Sequence, residues 1–215
     1  MAHQASRHFF YLLPSEARFL DAAVERLIPT DEQGPGACAA GVTEYIDRQL
    51  ASVWGVHGRN YRFGPWQDGT PQQGYQSALV PQQVYRMGIQ EVDAWCRGEH
   101  RQPFSFLDET AQENILTQLE KGAVGLPNVP PRLFFDMLYG NTMEGFFSDP
   151  VYGGNRDKIG WKLLGFPGIA SAAYVEHMAR HGVAYRVEPV AIEDVLQGRV
   201  EIDAGGYPKH VLPER

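Results

Sequence analysis

The stretch Gly145-Phe-Phe-Ser-Asp-Pro-Val-Tyr-Gly-Gly-Asn-Arg-Asp-Lys-Ile-Gly-Trp-Lys-Leu-Leu-Gly-Phe-Pro-Gly168 decides how this chain is put together. Pro150 and the pair Gly153-Gly154 forbid a continuous helix, because proline lacks an amide donor and glycine gives up the most backbone freedom. Asn155 can cap a new helix that runs through Trp161 and Leu164 and ends at Gly165, before Pro167. The segment therefore reads as helix, irregular connection, helix. Two readings of the connection stay open: a rigid link whose aromatics plug the core, or a shaped surface that carries function, since irregular backbone on a rigid scaffold often does. Tyr152, Gly153, Gly154, Asn155, Arg156 and Trp161 are its candidate site residues, at an interface or as internal support. A buried Arg156–Asp157 pair beside a helix N-terminus would lock the loop; an exposed one would offer a polar patch to a partner.

Working outward, the periodicity is helical. Immediately before the block, Arg132 to Phe147 carries Phe134, Phe135, Met137, Leu138, Met143 and Phe146, the pattern of a central helix. Asp108 to Lys121 turns Ile115, Leu116 and Leu119 to one side, with Ser105 and Asp108 as successive caps. Pro81 suits the first turn of a helix over Gln82 to Arg97, stopped by Gly98. Nearer the start, Ser15 can cap a helix bearing Phe19, Leu20, Ala23, Val24, Leu27 and Ile28, and Thr43 to Ala51 forms a shorter one. Residues 55–80 lose periodicity in favour of Gly, Pro, Gln and the aromatics Tyr61, Phe63, Trp66 and Tyr75, which suggests an ordered excursion. After Gly168 a helix is expected near Ala170 to His181. The segments 185–190 and 199–203 form either a short β-ribbon, confined by Pro189 to an edge, or an extended tail on a partner. The expected fold class is mainly α: a single compact helical domain over 1–215, with 1–13 a flexible N-terminal remnant and 183–215 an extended tail.

Composition narrows the function. With 43% hydrophobic residues over 215 positions the chain can bury one sizeable core. A formal charge of −7, with 19 scattered Lys and Arg, argues against tracking nucleic-acid phosphates. No run of about 18 apolar residues is present to span a bilayer. Cys38 and Cys96 are the two cysteines. They form either a disulfide closing a long loop, worth roughly 3–5 kcal/mol in an oxidising compartment, or two free thiols, and spacing leaves both open.

Chemistry-bearing motifs are sparse. Gly34-Pro-Gly-Ala-Cys-Ala39 fits Gly-x-Gly-x-x-Ala, but a helix precedes it and Pro35 lacks the N–H a pyrophosphate turn needs, so it reads as a turn. His177 and His181 stand one helical turn apart without the Glu of a metalloprotease. Glu91 and Asp93, or Asp47 and Arg48, read as the solvated faces of amphipathic helices rather than acid–base groups. No nucleophile elbow, phosphate loop or haem-attachment motif occurs, so catalytic, cofactor and metal residues are expected to be absent and interaction is the expected role.

The residues also carry a resemblance. Leu27-Ile-Pro-Thr-Asp31, Gly34-Pro-Gly36, Ala40 to Leu50, Asp93-Ala-Trp-Cys96 and above all 141–168 resemble the gluconate 2-dehydrogenase subunit 3 family over most of the chain. The resemblance implies a noncatalytic small subunit of a bacterial sugar or sugar-acid dehydrogenase. Its partner would be a glucose–methanol–choline type large subunit carrying FAD, with a cytochrome c component and its haem as a possible electron acceptor. Such complexes are commonly exported to the periplasm by a twin-arginine signal, which this sequence lacks, so a cytoplasmic location stands as the alternative. A periplasmic site would favour the Cys38–Cys96 disulfide. Two other classes remain: a stand-alone enzyme with a small-molecule pocket formed by the 55–80 and 145–168 loops, and a structural protein paired with itself.

Overall fold

Apolar residues at three- and four-residue spacing need a shared interior, and five helices supply it. The computed structural model describes residues 7–58, 60–67, 69–73, 76–169, 178 and 181–210. The main helices are α1 (Pro14–Leu27), α2 (Val42–Ala51), α3 (Pro81–His100), α4 (Glu109–Glu120) and α5 (Pro131–Phe147). α5 packs against each of the other four. Its Phe134 lies 6.1 Å from the Phe19 ring of α1 and 6.0 Å, edge-on, from Tyr85 of α3, while Phe104 closes on Phe19 at 4.6 Å. All four rings are buried, each worth about 1.5–3 kcal/mol over exposure.

A polar row crosses this core without orphaned charge. Tyr85 donates to Asn141 Oδ1 (2.8 Å), the Asn141 amide donates to Glu144 (3.0 Å), and Tyr45 of α2 donates to the same carboxylate (3.2 Å). Burial first, and the Glu144 charge next, push both phenols above their usual range, so each stays protonated and keeps its donor role.

Several helix ends differ from expectation for local reasons. α1 begins at Pro14, and Glu16 rather than Ser15 closes its first turn by accepting from the Leu13 N–H at 2.8 Å. α3 runs through Gly98 and stops where Arg101 turns left-handed at φ 64°. Asp108 caps α4 as expected, accepting from Ala111 N–H.

The chain start is not loose where it is described. Asp47 of α2, 2% exposed, accepts the N–H groups of Phe10, Tyr11 and Leu12 at 2.7–2.9 Å, and Arg7 pairs with Asp21 and Glu44. Residues 7–12 are thus joined to α1 and α2 by hydrogen bonds and ion pairs. Asp93 similarly accepts from Phe104 N–H, and Glu91 from Asn128 and Val129, so these three carboxylates stitch loops to helices.

The C-terminal part also departs from an extended tail. Short helices α6 (Ile159–Leu164) and α7 (Ile192–Leu196) flank residues outside the description, which include almost all of the helix expected near Ala170–His181. Segments 185–190 and 199–203 do not pair with each other: Val190 bridges Gly168, and Ile202 bridges Pro208 in a tight hairpin. Among the described residues only isolated bridges of this kind interrupt a mainly α fold, and no described helix is long and apolar enough to cross a membrane.

Candidate functional site

The connection between α5 and α6 is built from strained backbone held from inside. Asn155, Asp157 and Lys158 all have positive φ (45°, 56° and 59°), a conformation that Asn and Asp adopt more readily than other residues and that costs Lys158 about 1–2 kcal/mol. Asn155 is fully buried. Its amide donates to the Ser148 carbonyl at the end of α5 (2.8 Å) and its oxygen accepts from the Gly160 N–H in the first turn of α6 (2.8 Å). The N-cap residue of α6 is Lys158 rather than the expected Asn155; the Asn155 side chain instead reaches into the first turn across a short 3-10 turn, and one side chain joins two helix ends. Trp161, 6% exposed, donates to the Phe147 carbonyl at 2.7 Å and stands edge-on to Phe166. Asp149 accepts from the N–H groups of Val151 and Ile192, tying the connection to α7.

These contacts divide the sequence-singled residues into two groups. Gly154, Asn155 and Trp161 are internal support. Tyr152, 53% exposed, and Arg156, about half exposed, face outward, with Gly153 between them at φ 106°. The Arg156–Asp157 pair is not formed. Arg156 instead reaches Glu44 of α2 at 3.3 Å while its N–H binds the Ala40 carbonyl, because the left-handed turn at Asp157 sends neighbouring side chains apart.

Two grooves flank the block. The first, ≈ 490 Å³, lies between α2, the connection and the α7 region, and is lined by charged residues including Arg48, Arg156, Lys158, Glu188 and Asp194. Lys158 donates there to the Pro189 carbonyl (2.8 Å) and to Asp194 (3.0 Å). Burial alone would raise the Asp194 carboxyl, but the Ala191 N–H, then Lys158 and Arg199, hold it below its ordinary value. The second groove, ≈ 620 Å³, is more apolar and runs between residues 27–35 and α6, past Phe146, Ile159 and Leu163. Leu163, on this groove, and Leu164 and Phe166 after it are exposed. Sequence reasoning missed Arg48, Glu44, Lys158 and Asp194, since nothing local distinguishes a groove-lining charge from a solvated one.

The 55–80 excursion stands elsewhere. Trp54, just before it, and its own Asn60, Tyr61, Arg62 and Trp66 line a cleft in which no residue of 145–168 takes part. The Arg62 guanidinium sits 5.0 Å over the Trp66 ring, and Tyr61 and Phe63 are largely exposed. Tyr75 and His177 lie outside the described residues.

Both cysteines are free thiols in the structure, the second of the two readings that spacing leaves open. Cys96 points into the core from α3, whereas Cys38 lines a separate surface groove between α1 and the start of α4. Burial, with the Asp21 and Glu25 carboxylates behind it, pushes the Cys38 thiol up to about 11, and burial pushes Cys96 up to about 12. Neither is an activated nucleophile at neutral pH.

Among the described residues the architecture is a helical core with one braced connection whose outer side faces solvent. The family model for gluconate 2-dehydrogenase subunit 3 matches residues 14–168, and the chain belongs to that family. The match ends at Gly168, the close of the braced block, and makes the chain an accessory subunit of a dehydrogenase by class. No curated protein and no solved structure matches it.

Proposed function

We propose that this chain is the noncatalytic small subunit that binds, stabilises and accompanies in export the FAD-carrying, glucose–methanol–choline type large subunit of a bacterial sugar or sugar-acid dehydrogenase. In this reading the flavin belongs to the large subunit and haem c to a cytochrome component, and the complex works in the periplasm. One observation carries it: within the stretch matched by the family model, a connection with left-handed backbone is braced by a buried asparagine while Tyr152, Leu164 and Phe166 are turned outward. Strain of this kind persists where the surroundings enforce it and concentrates at functional sites. A rigid surface with exposed aromatic and aliphatic anchors loses little entropy on docking.

Co-expression with the flavoprotein large subunit tests this. The tagged chain should retain that subunit at a fixed ratio through purification. Tyr152→Ala and Leu164→Asp should each weaken retention by about 10-fold while leaving the melting temperature of the free chain unchanged. Failure of the wild-type chain to hold the large subunit would overturn the proposal.

A further inference from the structure

The ≈ 490 Å³ groove has an uneven charge arrangement. Arg156 pairs with Glu44, Lys158 with Asp194, Arg199 with Glu193 and Asp194, and Lys162 with Glu188. Arg48, on the exposed side of α2, has no ion pair or side-chain hydrogen bond among the described residues. Its stem lies against Gly153: a Cβ there would come within 2.7 Å of Arg48 Cδ and 2.8 Å of its Nε, so only glycine leaves room for it in this position. The guanidinium thus lies over the connection without being neutralised. Asp157, on the same groove, is exposed, held left-handed at φ 56°, and likewise without an ion pair among the described residues.

We infer that this groove seats an extended segment of the partner protein, with Arg48 taking a carboxylate side chain and Asp157 taking an ammonium or guanidinium further along. This deepens, and rests on, the reading of the chain as a partner-binding subunit. A planar guanidinium without a partner suits bidentate carboxylate recognition. Two unpaired charges of opposite sign on one groove also set the direction in which a segment can lie. A small free anion fits poorly, because it would meet one unpaired cation with Asp157, Glu188 and Glu193 close by. The chain's formal charge of −7 repels acidic partners at long range, so a carboxylate must be recognised locally.

The test measures binding of the purified large subunit to the wild-type chain, Arg48→Glu, Arg48→Gln and Asp157→Asn, at low and high salt. Wild-type affinity should fall as salt rises. Arg48→Glu should lower it about 100-fold, and Arg48→Gln and Asp157→Asn about 10-fold each, with a shallower salt dependence in all three. Arg132→Glu, a reversal at a side chain 76% exposed on α5, should leave affinity within about twofold. Melting temperatures at the wild-type value will show that the variants are folded. Wild-type binding with the Arg48 and Asp157 variants unchanged would overturn the groove assignment alone. No binding by the wild-type chain would overturn the subunit reading and the groove with it.

Discussion

Asn155→Ala is expected to destabilise the chain by about 3–5 kcal/mol, lowering the melting temperature by roughly 10 °C. Asn155 is fully buried, and its amide satisfies both the Ser148 carbonyl and the Gly160 N–H at 2.8 Å. Alanine removes both bonds and leaves a buried acceptor and a buried donor without partners, at about 1–3 kcal/mol each. It also suits the left-handed backbone less well than asparagine, whose short polar side chain tolerates φ 45°. Asn155→Asp separates the contributions: it can still accept from Gly160 but sets a second carboxylate oxygen against the Ser148 carbonyl, so it should not rescue the loss. Urea titration of the three proteins checks this, and a change below about 1 kcal/mol in Asn155→Ala would show that the α5–α6 connection does not depend on its brace.

Gly154→Ala should be damaging for a different reason. A Cβ at this position would sit 2.1 Å from the Gly145 carbonyl oxygen and 2.8 Å from its carbon, both in the α5 backbone, which cannot rotate out of the way. The connection would have to lift off the helix, at about 2–4 kcal/mol by the usual range for overpacked sites, and retention of the large subunit should fall with it. Gly140→Ala is the internal control, because nothing lies within 4 Å of a Cβ there and the residue is inside α5. Removing a glycine from a helix interior should stabilise by about 0.5–1 kcal/mol. Equal effects of the two substitutions in denaturant unfolding would show that the close approach does not matter.

Much of the fold was legible because its helices bury one stripe each. Phe19, Leu20, Ala23 and Val24, or Ile115, Leu116 and Leu119, recur at helical spacing and do face the core. The stop at Gly165 and the cap at Asp108 were readable from single residues with specific backbone roles. What failed depended on contacts between distant segments. Asp47, Glu91 and Asp93 look like solvated helix faces until loops fold across them and donate N–H groups, which periodicity within one helix cannot reveal. Arg156 was paired by proximity with Asp157, yet a left-handed turn sends it to Glu44, 112 positions away. The division of the candidate block into inner brace and outer face was not legible, since burial of Asn155 and exposure of Tyr152 follow from packing against α2 and α5. Arg48 carried no local signal at all.

The most direct measurement of the subunit's role is the flavin content and dye-linked activity of the large subunit, produced with and without this chain. Higher FAD occupancy and activity in the co-expressed sample, with no flavin absorbance from the 215-residue chain purified alone, is the expected outcome. Equal flavin content and equal activity in both samples would contradict a stabilising subunit.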